Sequence, residues 1–285
     1  MAEFVFHAST KAFISNYAEH PTQSLLIAAP AGSGKKLLAR QLVGKTLHIE
    51  PAAVAENPYV RIIQPEKDTI GIEIIRALEQ FLRLKVPTTQ IYNRAVIIED
   101  ADKLTLESQN ALLKTLEEPS LGVLLILTTG NQFSLLPTIL SRVQVWQVQP
   151  PTKAMIQEYF EQVGYSTSDV TRMVHIAGLR PSLLHALLNN QDHALLPAIT
   201  MARQILNGSS FDRLAMIDQL AKQKPLLTDT LGMLQQMASL SLETALPKDT
   251  TRWQTILAAS YQADKAVNSN AQTKLALTNM MLQLI

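Results

Sequence analysis

The sequence predicts an α/β domain, a parallel sheet sandwiched by helices, followed by a chain that is helical to its end. Three observations carry that reading. Short, wholly apolar runs recur in the first 150 residues, separated by stretches of helical periodicity, as expected of buried parallel strands joined by helices. After Pro150-Pro151 the strand signals stop and only helical ones continue. The 47% apolar content is mainly Leu, Ala and Ile, with aromatics at only 5%, which favours helix.

Taken in order, SLLIAA (Ser24–Ala29) is the first buried run; a Gly-rich turn and a helical KLLARQLVG follow at once. Ile74, Leu78, Phe81 and Leu82 fall at i, i+4, i+7 and i+8, an amphipathic helix ahead of Pro87. AVIIED (Ala95–Asp100) is a β-branched run ending in two acids, a strand covered on both faces. Thr105 suits the N-cap of a helix that ends before Pro119. GVLLILTT (Gly122–Thr129) is another buried strand, and VQVWQV (Val143–Val148) alternates before Pro150-Pro151 breaks the pattern. Beyond Pro151, Met155, Ile156, Tyr159, Phe160 and Val163 form one helical face, closed by Gly164. A second helix stops at Gly178, and Pro181 suits the first turn of a third. From Pro197 onward the pattern is helical, with breaks near Asn207-Gly208, Lys224-Pro225 and Pro247. Three units result: an α/β domain over 1–150, a small helical one over 151–196 and a larger helical one over 197–285.

Composition narrows the function. The 25 Lys and Arg against 24 Asp and Glu leave a charge of +1, balanced in both halves, so bulk charge does not make this a polyanion binder. Cysteine is absent, which removes disulfides, thiolate–zinc sites and thiol nucleophiles; the six histidines are scattered, so no structural metal is expected. The opening MAEFVFHASTKAFI lacks the build of a signal peptide, and the longest uncharged stretch, Pro119 to Ser141, is broken by Gly122, Gly130 and Pro137. A soluble cytoplasmic protein without membrane contact is expected.

Ala29-Pro30-Ala31-Gly32-Ser33-Gly34-Lys35-Lys36 lies between a buried strand and a helix, where a phosphate-binding loop belongs. Gly32 and Gly34 would let backbone N–H groups approach phosphate oxygens, and Lys35 would reach the outer phosphates. Against G-x-x-x-x-G-K-[ST], Ala29 replaces the first Gly, and Lys36 replaces the hydroxyl that should ligate Mg²⁺. An ordinary Gly-rich strand-to-helix turn explains the segment about equally well. Glu99 and Asp100 close the next strand, where a metal-binding acid and a water-activating acid would stand, but in the order Glu–Asp rather than Asp–Glu. Locally these acids could simply open the following loop.

AVIIEDADKLTLESQNALLKTLEEPS and VLLILTTGNQFSLLPTILSRVQ together resemble the AAA+ subunits of the bacterial DNA polymerase III clamp loader. Ile63-Gln64-Pro65-Glu66 with Ile70, Ile72, Ile75 and Arg76, and Asn268, Asn270, Leu275 and Leu277 near the end, are similar to the delta-prime branch of that family. The resemblance is strongest over 20–150. It implies an AAA+ P-loop sheet domain, a three-helix lid (151–196) and an all-α collar (197–285) that holds a hetero-pentamer of clamp-loader subunits. The machine's work would be to load a sliding clamp on primed DNA. This branch implies a non-catalytic subunit of the polymerase III holoenzyme, without independent ATPase, that donates an arginine across an interface.

That arginine falls on Arg142, in Ser141-Arg142-Val143, where the family carries Ser-Arg-Cys. Such a residue acting in trans can be worth roughly 10³–10⁵ in rate, whereas a surface arginine merely paired with an acid is worth about 0–1 kcal/mol. Thr129 matches a nucleotide-sensing position, though locally it is a strand-end Thr. Arg180 could be the lid arginine that contacts nucleotide, or a solvated residue at a helix start. ATP or ADP remains a possible ligand with an impaired Mg²⁺ site. The family's four-cysteine zinc module is missing, with Asn57-Pro58 where it would end and shorter packing expected around Leu47–Val60, so zinc is not carried over. Leu112–Pro119 reads as core leucines and solvated acids whose exposed face could border another subunit. Two alternatives stay open: an active ATPase subunit of the same machine, given Gly32, Gly34 and Lys35, and a free-standing P-loop enzyme such as a small-molecule kinase.

Overall fold

Helices α1 (Ala8–Glu19), α2 (Lys35–Leu47), α3 (Ile72–Arg83), α4 (Leu106–Glu117) and α5 (Pro137–Leu140) alternate with strands β1 (Ser24–Ala28), β2 (Val60–Ile63), β3 (Arg94–Ile98), β4 (Val123–Thr129) and β5 (Gln144–Gln147). A computed structural model of the chain describes residues 5–66, 68–83, 91–244, 246–269 and 272–284. Pro87, Asn270 and the first four residues of the opening segment lie outside these. The chain divides into two compact units, Met1–Pro151 and Thr152–Ile285.

The strands of the first unit form one parallel sheet in the order β2-β3-β4-β1-β5. Every residue of β1, β3 and β4 is buried, which is why their sequences run apolar without alternation. Alternate side chains go to opposite faces. Leu26, Val96, Ile98, Leu125 and Leu127 pack with Ile75 and Leu78 of α3 and Leu112 and Leu116 of α4. Leu25, Ile27, Ile97, Leu124 and Ile126 pack with Ile14 and Tyr17 of α1 and Leu38, Leu42 and Val43 of α2. Each such fully buried aliphatic contributes roughly 1.5–3 kcal/mol. The expected α/β class and parallel sheet are therefore the fold of this unit. Because all strands run the same way, their C-terminal ends share one edge of the sheet, and the loop after β1 meets the acids after β3 there.

Two elements carry no clear sequence signal. β2 is only four residues, buried at Val60 and Ile63 alone. α1 is weakly amphipathic; it starts at His7, whose ring accepts from the Ser9 N–H at 3.2 Å. It covers the sheet edge, where Phe13 stacks on Trp146 of β5 with ring centroids 3.8 Å apart. At that edge β5 is mostly open: Val145 is exposed and Trp146 half-buried, so the alternation of VQVWQV does not map onto one covered face. Between α2 and β2 a short 3-10 turn, Val54–Glu56, buries Val54 together with Leu47 and Val60.

The second unit is helical: α6 (Lys153–Gln162), α7 (Thr167–Ala177), α8 (Pro181–Leu188), α9 (Leu196–Asn207), α10 (Ser210–Ala215), α11 (Ile217–Lys222), α12 (Lys224–Thr244), α13 (Pro247–Asn268) and α14 (Thr273–Gln283). Breaks fall at the expected Gly and Pro positions, with further ones at Met216 between α10 and α11 and between Asn268 of α13 and Thr273 of α14. On α6, Ile156 and Phe160 are buried but Val163 is exposed, because the helix has ended at Gln162. α12 packs on α7 as well as on α9 and α13. Gly178 ends α7 at φ 67°, a backbone in which L side chains are strained, and a Cβ there would lie 2.6 Å from Cδ of Gln236 on α12, whose side chain would have to shift. No helix among the described residues is long and apolar enough to cross a membrane.

Arg94 opens β3 almost wholly buried. Its Nη1 donates to the carbonyls of Phe81 and Leu82 at 2.7 and 3.0 Å, satisfying the last turn of α3, and its guanidinium lies 4.9 Å from the centre of the Phe81 ring. Replacing Arg94 with Met keeps the stem and loses these bonds. A loss of roughly 2–3 kcal/mol in urea unfolding is expected; an unchanged midpoint would show that the α3 carbonyls do not need this donor.

Candidate phosphate-loop site

The loop after β1 has the backbone of a phosphate loop. Gly32 and Gly34 adopt φ of 81° and 90°, a region where other L-residues are strained. Gly34 is the N-cap of α2 and supplies no side-chain cap, so the helix N-terminus is closed by no side chain of its own. Ser33 Oγ is buried without a hydrogen-bond partner. The loop is anchored to the sheet by the Ala29 N–H, which donates to the Thr129 carbonyl at 3.1 Å.

Glu99 follows β3 and has no exposed surface. A carboxylate so placed must be compensated. Arg40 Nη2 donates to its Oε1 at 3.0 Å, Gln64 Nε2 to its Oε2 at 2.9 Å, and Lys36 Nζ lies 3.2 Å from Oε2. Asp100, in left-handed backbone at φ 53°, receives Lys36 Nζ at 2.7 Å on Oδ2 and Lys35 Nζ at 3.5 Å on Oδ1, while its N–H donates to Thr128 Oγ1 at 3.0 Å. Lys35 is itself 6% exposed, so it is turned onto Asp100 and not out into the loop.

Burial alone would push the Lys36 ammonium down, but the hydrogen bond to Asp100 and the charges of both acids outweigh it and raise its pKa. Burial would likewise raise Asp100; the Lys36 hydrogen bond and the Lys35 and Lys36 charges reverse that and hold it below the usual carboxylate range.

The fold implies a nucleotide with Mg²⁺ at such a place. Mg²⁺ requires near-octahedral oxygen ligands at about 2.0–2.1 Å. Here the ligating hydroxyl is missing, an ammonium contacts both acids, and among the described residues no three His, Asp or Glu side chains gather as a metal-binding group. The residues do not fit Mg²⁺. The glycine backbone and the Ser33 hydroxyl remain compatible with a phosphate.

The structure thus brings together Gly32, Gly34, Lys35, Glu99 and Asp100. Thr129 borders them but is engaged elsewhere: its hydroxyl donates to Asp102 Oδ1 at 2.9 Å and accepts from the Asn131 N–H at 3.0 Å. Arg180 belongs to the second unit, where its guanidinium lies 3.2 Å from Met233 Sδ; burial lowers its pKa, opposed by the charge of Asp229. Arg142 follows α5. Its Nη2 pairs with Glu117 Oε1 at 2.8 Å, and its Nη1 donates to the Thr138 carbonyl and to Ser141 Oγ; Arg142 is about a third exposed and Glu117 half. Arg40 and Asp102 are participants that the motifs do not single out, and Gln64 is quoted only within a stretch of family resemblance, with no role assigned to it. Arg40 is legible in retrospect, four residues after Lys36 on one face of α2; Gln64 and Asp102 are not.

Asp100 gives the cluster a pH signature. Its folded pKa is depressed, so its contribution to stability is complete above about pH 4, the unfolded value, and is lost as pH falls through the lower folded value. Stability of the chain should fall more steeply below about pH 4 than that of Asp100→Asn. Parallel acid limbs in denaturation at stepped pH would rule out a linked carboxylate at this position.

A family model described as "DNA polymerase III, delta subunit" matches residues 8–152. DNA polymerase III subunit delta' of Haemophilus influenzae is 26% identical over 171 residues, 55% of this chain and 51% of that protein. The delta' subunit of Pseudomonas aeruginosa is 33% identical over 142 residues, 44% of this chain and 42% of its own. The chain spans about half the length of the curated relatives it matches. Among solved structures, the Thermotoga maritima RuvB Holliday junction branch migration motor superposes with a TM-score of 0.51 at 12% identity, covering 98% of this chain and 88% of RuvB, a likeness of fold alone.

Proposed function

Starting from a chain that belongs to the DNA polymerase III delta subunit family, we propose that it is a non-hydrolysing, delta-prime-like subunit of a clamp loader. In this reading it helps place a sliding clamp on primed DNA within a hetero-pentamer, residues 151–196 and 197–285 act as lid and collar, and Arg142 serves a neighbouring ATPase subunit. The observation that carries it is the state of the two acids. Glu99 and Asp100, the groups that would hold a metal and activate water, are already bonded to Lys35, Lys36, Arg40 and Gln64 of the same chain. A general base must reach its water, and neither carboxylate is available to do so.

Arg142 supports the other half of the proposal. Its ion pair with Glu117 joins two groups open to water, so releasing it costs only about 0–1 kcal/mol. The guanidinium can therefore exchange Glu117 for a developing phosphoryl charge on a partner. ATP or ADP would be held here by the glycine backbone as a ligand, without turnover. Lys35, Gly32 and Gly34 also support the rival reading, an active ATPase subunit, and the two separate cleanly.

In a clamp loader reconstituted with its partner subunits, Arg142→Ala should lower DNA-stimulated ATP turnover at the recipient site by up to ~10³ while assembly persists. Unchanged turnover would remove the trans role. In the same assembly Lys35→Ala should leave turnover at the wild-type level, since no hydrolysis is assigned to this loop; a lost increment of turnover would establish the rival.

A further inference from the structure

We infer that the Lys36 ammonium is the resident cation of the phosphate-loop site, standing in the place of a divalent metal and excluding one. The inference concerns the chemistry of the acid pair and shares with the proposed function only the cluster, not the role of Arg142.

Three cationic side chains, Lys35, Lys36 and Arg40, converge on two carboxylates, so the cluster already carries one positive charge in excess. A divalent ion would enter a region of the wrong sign at contact distances, where Coulomb terms are largest. It would also have to displace Lys36 Nζ, which among the described residues is the one group touching both acids, at 3.2 Å from Glu99 and 2.7 Å from Asp100. Lys36 sits at the sequence position of the metal-ligating hydroxyl, so the side chain that should bring the metal brings a charge of its own. Arg40 and Gln64 then take the oxygens of Glu99 that solvent cannot reach. Lys36 is itself 44% exposed, which leaves a path by which a small cation could arrive if the side chain were cut back.

The test asks whether an added cation replaces the missing ammonium. The free wild-type chain, titrated with Mn²⁺ and followed by the loss of the aquo-ion EPR signal, should take up no stoichiometric ion, and its melting midpoint should not move with Mg²⁺ at constant ionic strength. Lys36→Ala should melt lower by roughly 5 °C, and millimolar Mg²⁺ or methylammonium should recover most of that loss. Lys36→Arg should melt like the wild type and ignore Mg²⁺, because charge and not shape is the requirement. If Lys36→Ala does not fold, Lys36→Gln, which keeps a donor without charge, is read in its place. A stoichiometric Mn²⁺ site in the wild type that disappears in Glu99→Gln would overturn the inference. So would a neutral variant that melts with the wild type, or one whose loss no cation recovers. None of these readouts involves ATP turnover: their failure would remove the ground for the non-hydrolysing reading, while the role of Arg142 in an assembly keeps its own separate test.

Discussion

Glu99 is a carboxylate with no contact with water at the end of a strand buried on both faces. An uncompensated charge in such a place costs several kcal/mol even after relaxation, and much of the local architecture follows from meeting that demand. Arg40 and Lys36 reach it from one face of α2, and Gln64 reaches it from the end of β2. The same three contacts therefore tie the loop after β1, the helix behind it and two neighbouring strands to one point. The two apolar layers on either side of the sheet supply most of the stability, but they would be satisfied by many loop conformations. The acid at position 99 selects one of them.

Hydrophobic residues of the same volume could hold these elements about as firmly, since a buried ion cluster roughly breaks even against them. What the cluster adds is exclusivity. Its members fill one another's valences, so the groups that would serve metal and water are unavailable without breaking several bonds together. Arg142 offers the opposite case with the same chemistry. Glu117 is half open to solvent, the pair is weak, and nothing else depends on it. Desolvation and the number of partners together separate a fixed interior cluster from an exchangeable pair on the surface.

The strands and their order of appearance are legible because full burial writes itself as uninterrupted apolar runs in β1, β3 and β4. β2 is hidden because only Val60 and Ile63 are covered, and α1 because its contacts with the sheet edge go through Phe13 and Tyr17, not through a long apolar stripe. In the site, Gly32, Gly34, Lys35, Glu99 and Asp100 are visible as local motifs. Their partners are not, since Arg40 and Glu99 meet across a sequence separation of 59 and Gln64 and Glu99 across 35. Sequence makes Lys36 legible as the loss of a hydroxyl. Only the fold shows that what replaced the hydroxyl found two acids to bind.

The order Glu–Asp takes on a meaning from the same geometry. The acid at 99 has to span from the strand end to both Arg40 and Gln64 while remaining sealed, which suits the longer side chain. The acid at 100 sits in left-handed backbone, a conformation Asp tolerates because its short side chain can bond locally, and from there it meets Lys35 and Lys36 without needing reach. With the order reversed, the buried acid would be a methylene shorter and would withdraw from donors that are fixed on α2 and β2. The longer one would stand in strained backbone with more freedom to swing toward solvent and water. The sequence order that is a handicap for activating water is thus the order that fits an acid pair closed on its own cations, so Lys36 and the Glu99-Asp100 order express one arrangement rather than two separate departures from a working site.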